Sequence, residues 1–405
     1  MADQDDASLP PRPRFATRLT QLGRAGARVH GFVNPALVRG STVLHPDLAH
    51  RAREGSRRLD QALVYGTHGT QTHFALENAI ADIEGGTRCQ IVSSGLAAII
   101  TPLLAFLKTG QHLLVPDSVY GPTRRFCDGM LASLGIATTY YDPLISAENL
   151  AALFRPETRV LFLESPGSHT FEVQDVPALA GLAHERGAVV MMDNTWGVHF
   201  FQPFRHGVDV SIQALTKYVG GHSDIILGSV TVADDAHWQV LRDGAMALGQ
   251  FASPDDCWLA LRGVRSLGVR LRHQMEQGLH IAHWLQARPE VLRVLHPALP
   301  GAPGHDFWKR DFTGATSLFG VVLRPEYTSE AVGAMIDAMT LFGIGASWGG
   351  YESLILPTSG TISRSAGTGN FGGEIMRLHI GLEDLEDLKA DLERGFARLH
   401  EVAGV

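Results

Sequence analysis

Lys217 follows Thr216 at the end of an apolar run, residues 208–215, and leads into Tyr218, Val219, Gly220, Gly221, His222, Ser223 and Asp224. An amine at the end of a buried strand is costly unless it is paired or used covalently. The position suits a nucleophile that forms a Schiff base with a carbonyl group. The alternative is an ordinary lysine whose stem lies on apolar surface while its head reaches water. Two more chemistry-bearing side chains fall just beyond apolar runs. Asp193 closes 188–192, and Tyr120 comes shortly after 112–115.

Together these residues fit the needs of pyridoxal phosphate. Its pyridine nitrogen needs a carboxylate to hold a proton, and Asp193 suits; a local turn cap is the other reading. Its ring needs an aromatic cover, and Tyr120 suits, unless it is a core tyrosine. Its phosphate needs N–H donors. Ser94-Gly95-Leu96, a small-residue turn opening a helix, suits that. Arg377 lies inside the apolar run 376–380. A guanidinium there should grip a carboxylate, from a substrate or from a structural ion pair.

The surrounding pattern places these groups. Runs at 89–92, 112–115, 138–141, 159–163, 188–192 and 208–215 read as strands, with helices at 96–107 and 176–186. Apolar strands alternating with helices predict an α/β fold with a mostly parallel sheet covered on both faces. Ligands in such sheets bind beyond the strand carboxyl ends, where Tyr120, Asp193 and Lys217 fall. Leu76, Ile80 and Ile83 share a helical face that ends at Gly85-Gly86.

Beyond Pro254-Asp255-Asp256 a helical stretch runs to about residue 288. Its Arg262, Arg265, Arg270 and Arg272 are expected on a solvated or subunit-facing surface. Strands at 292–295, 318–323 and 376–380, with helices at 329–341 and 383–402, predict a smaller α+β domain. The expected division is a tail and arm at 1–60, a cofactor-binding domain at 61–255 and a C-terminal domain at 256–405. The Pro10, Pro11 and Pro13 region and the polar 51–58 segment read equally as a subunit-clasping arm or a solvated tail. The motif Gly367-Thr368-Gly369-Asn370-Phe371-Gly372 matches a dinucleotide-site pattern but precedes a strand, so a mobile glycine loop is expected instead.

Bulk composition narrows the function. The chain has 405 residues, 45% hydrophobic and 19% charged, with a formal net charge of −8. A large buried core follows, and no basic excess favours nucleic acid or an anionic membrane. Three separated cysteines and no apolar leader predict reduced thiols and a cytoplasmic location. The 19 histidines show no metal-ligand spacing, and no metal is expected.

The motifs Asp193-Asn194-Thr195-Trp196, Thr216-Lys217-Tyr218, Gly221-His222-Ser223-Asp224, Tyr120-Gly121-Pro122-Thr123 and Arg377-Leu378-His379-Ile380-Gly381 resemble the Cys/Met-metabolism pyridoxal-phosphate enzymes, of aspartate-aminotransferase-like (type I) fold. The resemblance runs from about residue 55 to the C-terminus. Within that family, Ser347-Trp348-Gly349-Gly350-Tyr351, Glu164-Ser165-Pro166-Gly167-Ser168 and Phe307-Trp308-Lys309-Arg310-Asp311-Phe312 are similar to bacterial cystathionine β-lyases. The γ-lyases and γ-synthases usually carry Asn where this chain has Ser168, and usually lack the equivalent of Trp348.

The resemblance implies roles. Lys217 would be the Schiff-base lysine and the base at Cα. Asp193 would hold the pyridinium and Tyr120 would stack on the ring. Gly95 and Leu96 would bind the phosphate, with Thr216 nearby. Tyr65 would reach the phosphate of a neighbouring subunit, in a homotetramer with sites shared across each dimer. Arg377, Ser347 and Trp348 would hold an amino-acid substrate's carboxylate. Two positions depart from the family pattern: Thr67 stands where many relatives have a phosphate-pairing arginine, and Ala214 where many have serine.

Overall fold

Seven strands form the main sheet: β1 (Arg88–Val92), β2 (His112–Pro116), β3 (Ala137–Tyr141), β4 (Thr158–Glu164), β5 (Val189–Asp193), β6 (Val210–Gln213) and β7 (Gly228–Val232). Their order is β1-β7-β6-β5-β4-β2-β3 in this computed structural model, which describes residues 13–24, 31–57, 59–367 and 369–404. Pro10, Pro11, Arg58 and Thr368, each part of an expectation above, lie outside the described residues. Strands β2 to β6 run parallel, and β7 is antiparallel to both β6 and β1.

Both faces of the sheet are covered, which explains the unbroken apolar runs. Leu114, Leu161, Leu163, Val190 and Met192 join one core cluster. Their chain neighbours Leu113, Val115, Val160, Phe162 and Met191 join another. The helix Gln71–Glu84, with Leu76, Ile80 and Ile83 fully buried, covers the first side. The helix Gly95–Phe106 covers the second.

Strand β7 has no counterpart in the sequence reading. Its Ser229 and Thr231 are fully buried, so polar letters mask a buried strand. The helix that follows, Asp235–Ala247, was likewise not expected.

A smaller sheet holds β8 (Val291–Leu295), β9 (Leu318–Leu323), β10 (Gly343–Ile344), β11 (Leu354–Pro357) and β12 (Ile375–His379), in the order β10-β11-β12-β9-β8. It is antiparallel apart from the β10–β11 pair. The 33-residue helix Pro254–Gln286 joins the two halves. Its Leu261, Val264, Leu267 and Leu271 belong to the first core, and its Ile281, Ala282 and Leu285 to that of the small sheet.

One expectation needs correction. Arg262 and Arg272 are exposed, but Arg270 is buried. It donates to the carbonyls of Tyr218 at 2.8 Å and Gly263 at 3.0 Å. The turn after Lys217 leaves carbonyls without strand partners, and a buried cation satisfies them. Arg265, half-buried, donates to the Leu19 carbonyl at 2.9 Å. The glycine motif also starts from a fixed point. The N–H groups of Ser365, Ala366 and Gly367 all donate to the buried Asp117 carboxylate, at 2.7, 2.7 and 2.9 Å.

Candidate active site

A cavity of about 330 Å³ opens beyond the carboxyl ends of the parallel strands. Tyr120, Asp193, Thr216, Lys217, Gly95, Leu96, Trp348 and Arg377 line it, so residues more than 280 positions apart in sequence converge there. Strand ends deliver Asp193 and, through a short turn, Lys217. The small domain delivers Arg377 from β12 and Trp348 from the loop before β11.

Lys217 Nζ donates to Ser347 Oγ at 2.8 Å and lies 5.3 Å from the Trp348 ring centre. Burial and the nearby Arg377 cation lower its pKa from the usual 10.5 to about 8, against the pull of Asp193. It is therefore not a lysine reaching out to water. A neutral amine is accessible near physiological pH, as a nucleophile or base requires.

Asp193 is pushed up by burial and held down by the Thr195 hydroxyl and N–H, the latter at 2.9 Å, and by Lys217. The local cap and the cofactor-facing position thus coexist. Glu164 sits directly beside it, paired in register across β4 and β5. Glu164 is fully buried, lines the same cavity and accepts the Tyr120 N–H at 2.8 Å. Burial first, then the Asp193 charge, drives it well above the usual carboxylate range. Two adjacent buried carboxyls cannot both ionise. Asp193 has the Lys217 cation and the Thr195 donors, so burial and the neighbouring charge raise Glu164 and favour its protonated form. Glu164 was not singled out from the sequence, although it ends a strand as Asp193 does. Glu164→Gln keeps an acceptor for Tyr120 and mimics the protonated acid. It should change kcat/KM by less than about threefold, whereas Glu164→Ala should lower it by about tenfold; steady-state kinetics of both variants decide this.

The phosphate end is built from backbone. Ser94 caps the helix by accepting the Ala97 N–H at 3.0 Å. The Gly95 and Leu96 N–H groups have no acceptor among the described residues, as expected of a first helical turn. A Cβ on Gly95 would come within 2.6 Å of the Ala214 Cβ. Glycine there lets the helix start pass close to Ala214. The Thr216 hydroxyl is engaged by the Leu227 peptide, at 3.2 Å to its oxygen and 2.9 Å from its nitrogen.

Arg377 is 8% exposed, and no carboxylate pairs with it among the described residues. Only Nη2 is used, donating to the carbonyls of Gly345, Ala346 and Ser347 at 3.0 to 3.4 Å. Nε and Nη1 have no acceptor among the described residues, and each can donate to an anion. Tyr120 is 42% exposed and not a core tyrosine. Tyr65 stands apart: it is 47% exposed and does not line the cavity of its own chain. The three cysteines are free and buried. Among the described residues there is no metal-binding cluster, and no helix is long and apolar enough to cross a membrane.

Residues 16–397 match the family described as Cys/Met metabolism PLP-dependent enzyme, and the chain belongs to it. Its cofactor is pyridoxal phosphate, and the site suits that molecule: an inward-facing lysine amine, a buried carboxylate beside it, and a glycine-lined helix start. The chain is 49% identical to a putative cystathionine β-lyase of Rhizobium johnstonii, over 98% of this chain and 99% of the relative. It is 43% identical to cystathionine β-lyase MetC of Escherichia coli, over 95% and 99%. Among solved structures, cystathionine γ-synthase of Xanthomonas oryzae pv. oryzae, in complex with aminoacrylate and cysteine, superposes with a TM-score of 0.88 at 30% identity, over 96% of this chain and 99% of that one.

Thr67 is exposed and outside the cavity. With threonine in place of a phosphate-pairing arginine, the native protein is expected to release its cofactor faster than Thr67→Arg, by about tenfold. Absorbance decay on dilution measures this, and equal rates would show that the missing arginine is compensated, with His68 the first residue to test.

Proposed function

We propose that the protein is a carbon–sulfur lyase that converts L-cystathionine and water to homocysteine, pyruvate and ammonia. The observation that carries this reading is the placement of the Lys217 amine, 2.8 Å from Ser347, in one cavity with the Asp193 carboxylate and the unpaired side of Arg377. That set can abstract a proton from the α-carbon of an amino acid held by its carboxylate. Relatives named cystathionine β-lyase at 42 to 49% identity support cleavage at Cβ.

Bound pyridoxal phosphate supplies an electron sink for the pair left at Cα. The protein's own groups do the rest. Arg377 would hold the substrate carboxylate, with Ser347 and Trp348 beside it. Lys217 would take the Cα proton. Asp193 keeps a proton on the ring nitrogen, and Tyr120 covers the ring. Gly95 and Leu96 anchor the phosphate, with Thr216 shaping the turn. Homocysteine thiolate then leaves from Cβ, and water converts the remaining three-carbon fragment to pyruvate and ammonia.

The working unit we infer is a homotetramer of two dimers, with Tyr65 serving the partner's phosphate. Tyr65 is exposed and does not line its own cavity, and the arm carries Phe32, Val33, Leu44 and Leu48 at 65 to 91% exposure, which supports burial against another subunit. A reducing cytoplasm fits the free thiols. The arm (1–60), cofactor-binding (61–255) and C-terminal (256–405) divisions are retained as a proposal, with the long helix from Pro254 shared between the two cores.

Cleavage or replacement at Cγ, as in γ-lyases and γ-synthases, is the rival reaction on this scaffold. A lyase acting on many cysteine conjugates would also make pyruvate, so a panel of S-substituted cysteines tests substrate breadth.

A further inference from the structure

We propose that His169 is a specificity-determining residue whose imidazole is a second donor, beside Arg377, to the substrate carboxylate. The inference rests on the carboxylate role given to Arg377 above.

His169 lines the cavity in a backbone conformation that side chains rarely adopt, with φ of 64°. Phe171, two residues on and also in the cavity wall, has φ of 59°. Strain of this kind persists only where the surroundings enforce it, and it gathers at functional sites. The segment is enforced from β9. Gly320 is the register partner of Arg377 across β9 and β12. A Cβ on Gly320 would sit 3.0 Å from the His169 carbonyl oxygen. Glycine at 320 therefore lets His169 lie against the strand pair that carries Arg377.

The imidazole Nδ1 is buried and has no hydrogen-bond partner among the described residues. Two fully buried histidines are paired, His296 with the Thr316 carbonyl at 3.2 Å and His379 with Gly349 and Gly350 at 3.1 and 3.2 Å, whereas His199, outside the cavity, also leaves its Nδ1 without a partner. Burial, then Arg377 and Arg364, lower the His169 pKa to about 4 and keep the ring neutral. A neutral ring has one N–H. In the tautomer protonated at Nε2, the ring can offer that proton to a ligand in the cavity it lines. Arg364 is paired with Glu172 at 2.8 Å and does not line the cavity. A carboxylate on the open side of Arg377 thus meets a second, uncharged donor.

The test uses the cofactor-loaded protein and two small amines, glycine and methylamine, titrated by the change in cofactor absorbance. Glycine carries a carboxylate and methylamine does not. His169→Leu and His169→Ala should each weaken glycine binding about tenfold while leaving methylamine within about twofold. His169→Gln, which restores an N–H donor, should recover part of the loss. Equal weakening of both amines, or of neither, in whichever variants fold overturns the proposal. The outcome is separable from the reaction assigned above. A selective glycine effect without pyruvate from cystathionine would reject that reaction and keep the role of His169.

Discussion

Lys217→Ala is expected to lower kcat by at least about 10⁴-fold. No other amine stands in the cavity to take over. Arg377 stays cationic, with a pKa of about 10, and the cavity wall has no second lysine. The substitution should also remove the absorbance of lysine-bound cofactor, while the helix Gly95–Phe106 still holds the phosphate. Activity and spectrum should therefore fall together, and cofactor content should persist. The cofactor-free protein offers an independent readout. Its lysine is protonated below about pH 8 when folded, whereas an unfolded lysine stays protonated up to about 10.5. Between those values the unfolded chain binds more protons, so stability rises with pH. That rise should vanish in Lys217→Ala, as melting temperatures taken across the window would reveal. Near-native turnover in the variant would remove Lys217 from the mechanism.

Asp193→Asn is expected to lower kcat by about 10²–10³-fold with a smaller change in KM. The amide can keep the 2.9 Å bond from Thr195 N–H and much of the packing, but it cannot carry the charge that holds a proton on the ring nitrogen. Removing a buried charge also relieves the pressure on Glu164, whose pKa should fall because the neighbouring charge is gone. The variant should therefore melt at or above the native temperature while losing activity. A large drop in melting temperature with kcat preserved would reduce Asp193 to the turn cap that sequence alone also allowed.

Much of this was legible in the sequence because one physical pattern was strong. A parallel sheet buried on both faces writes itself as apolar runs, and the residues just past those runs are its functional edge. Lys217, Asp193 and Tyr120 were found that way. Arg377 was found because a cation inside an apolar strand demands an anion. The same logic would have found Glu164, which ends its run as Asp193 does. Other features carry no such mark. Ser229 and Thr231 read as loop residues, yet they are fully buried in β7. Arg270 reads like its exposed neighbours Arg262 and Arg272, and only the fold brings the carbonyls of Tyr218 and Gly263 to it. His169 is one histidine among 19, and its position depends on the absent side chain of Gly320, about 150 residues away.

The most direct test of the proposed chemistry is the identity of the keto acid formed from L-cystathionine by the purified, cofactor-loaded protein. Cleavage at Cβ predicts pyruvate, released in equal amount with homocysteine and absent in Lys217→Ala. Formation of 2-oxobutyrate with cysteine would place the cleavage at Cγ and contradict the proposed function.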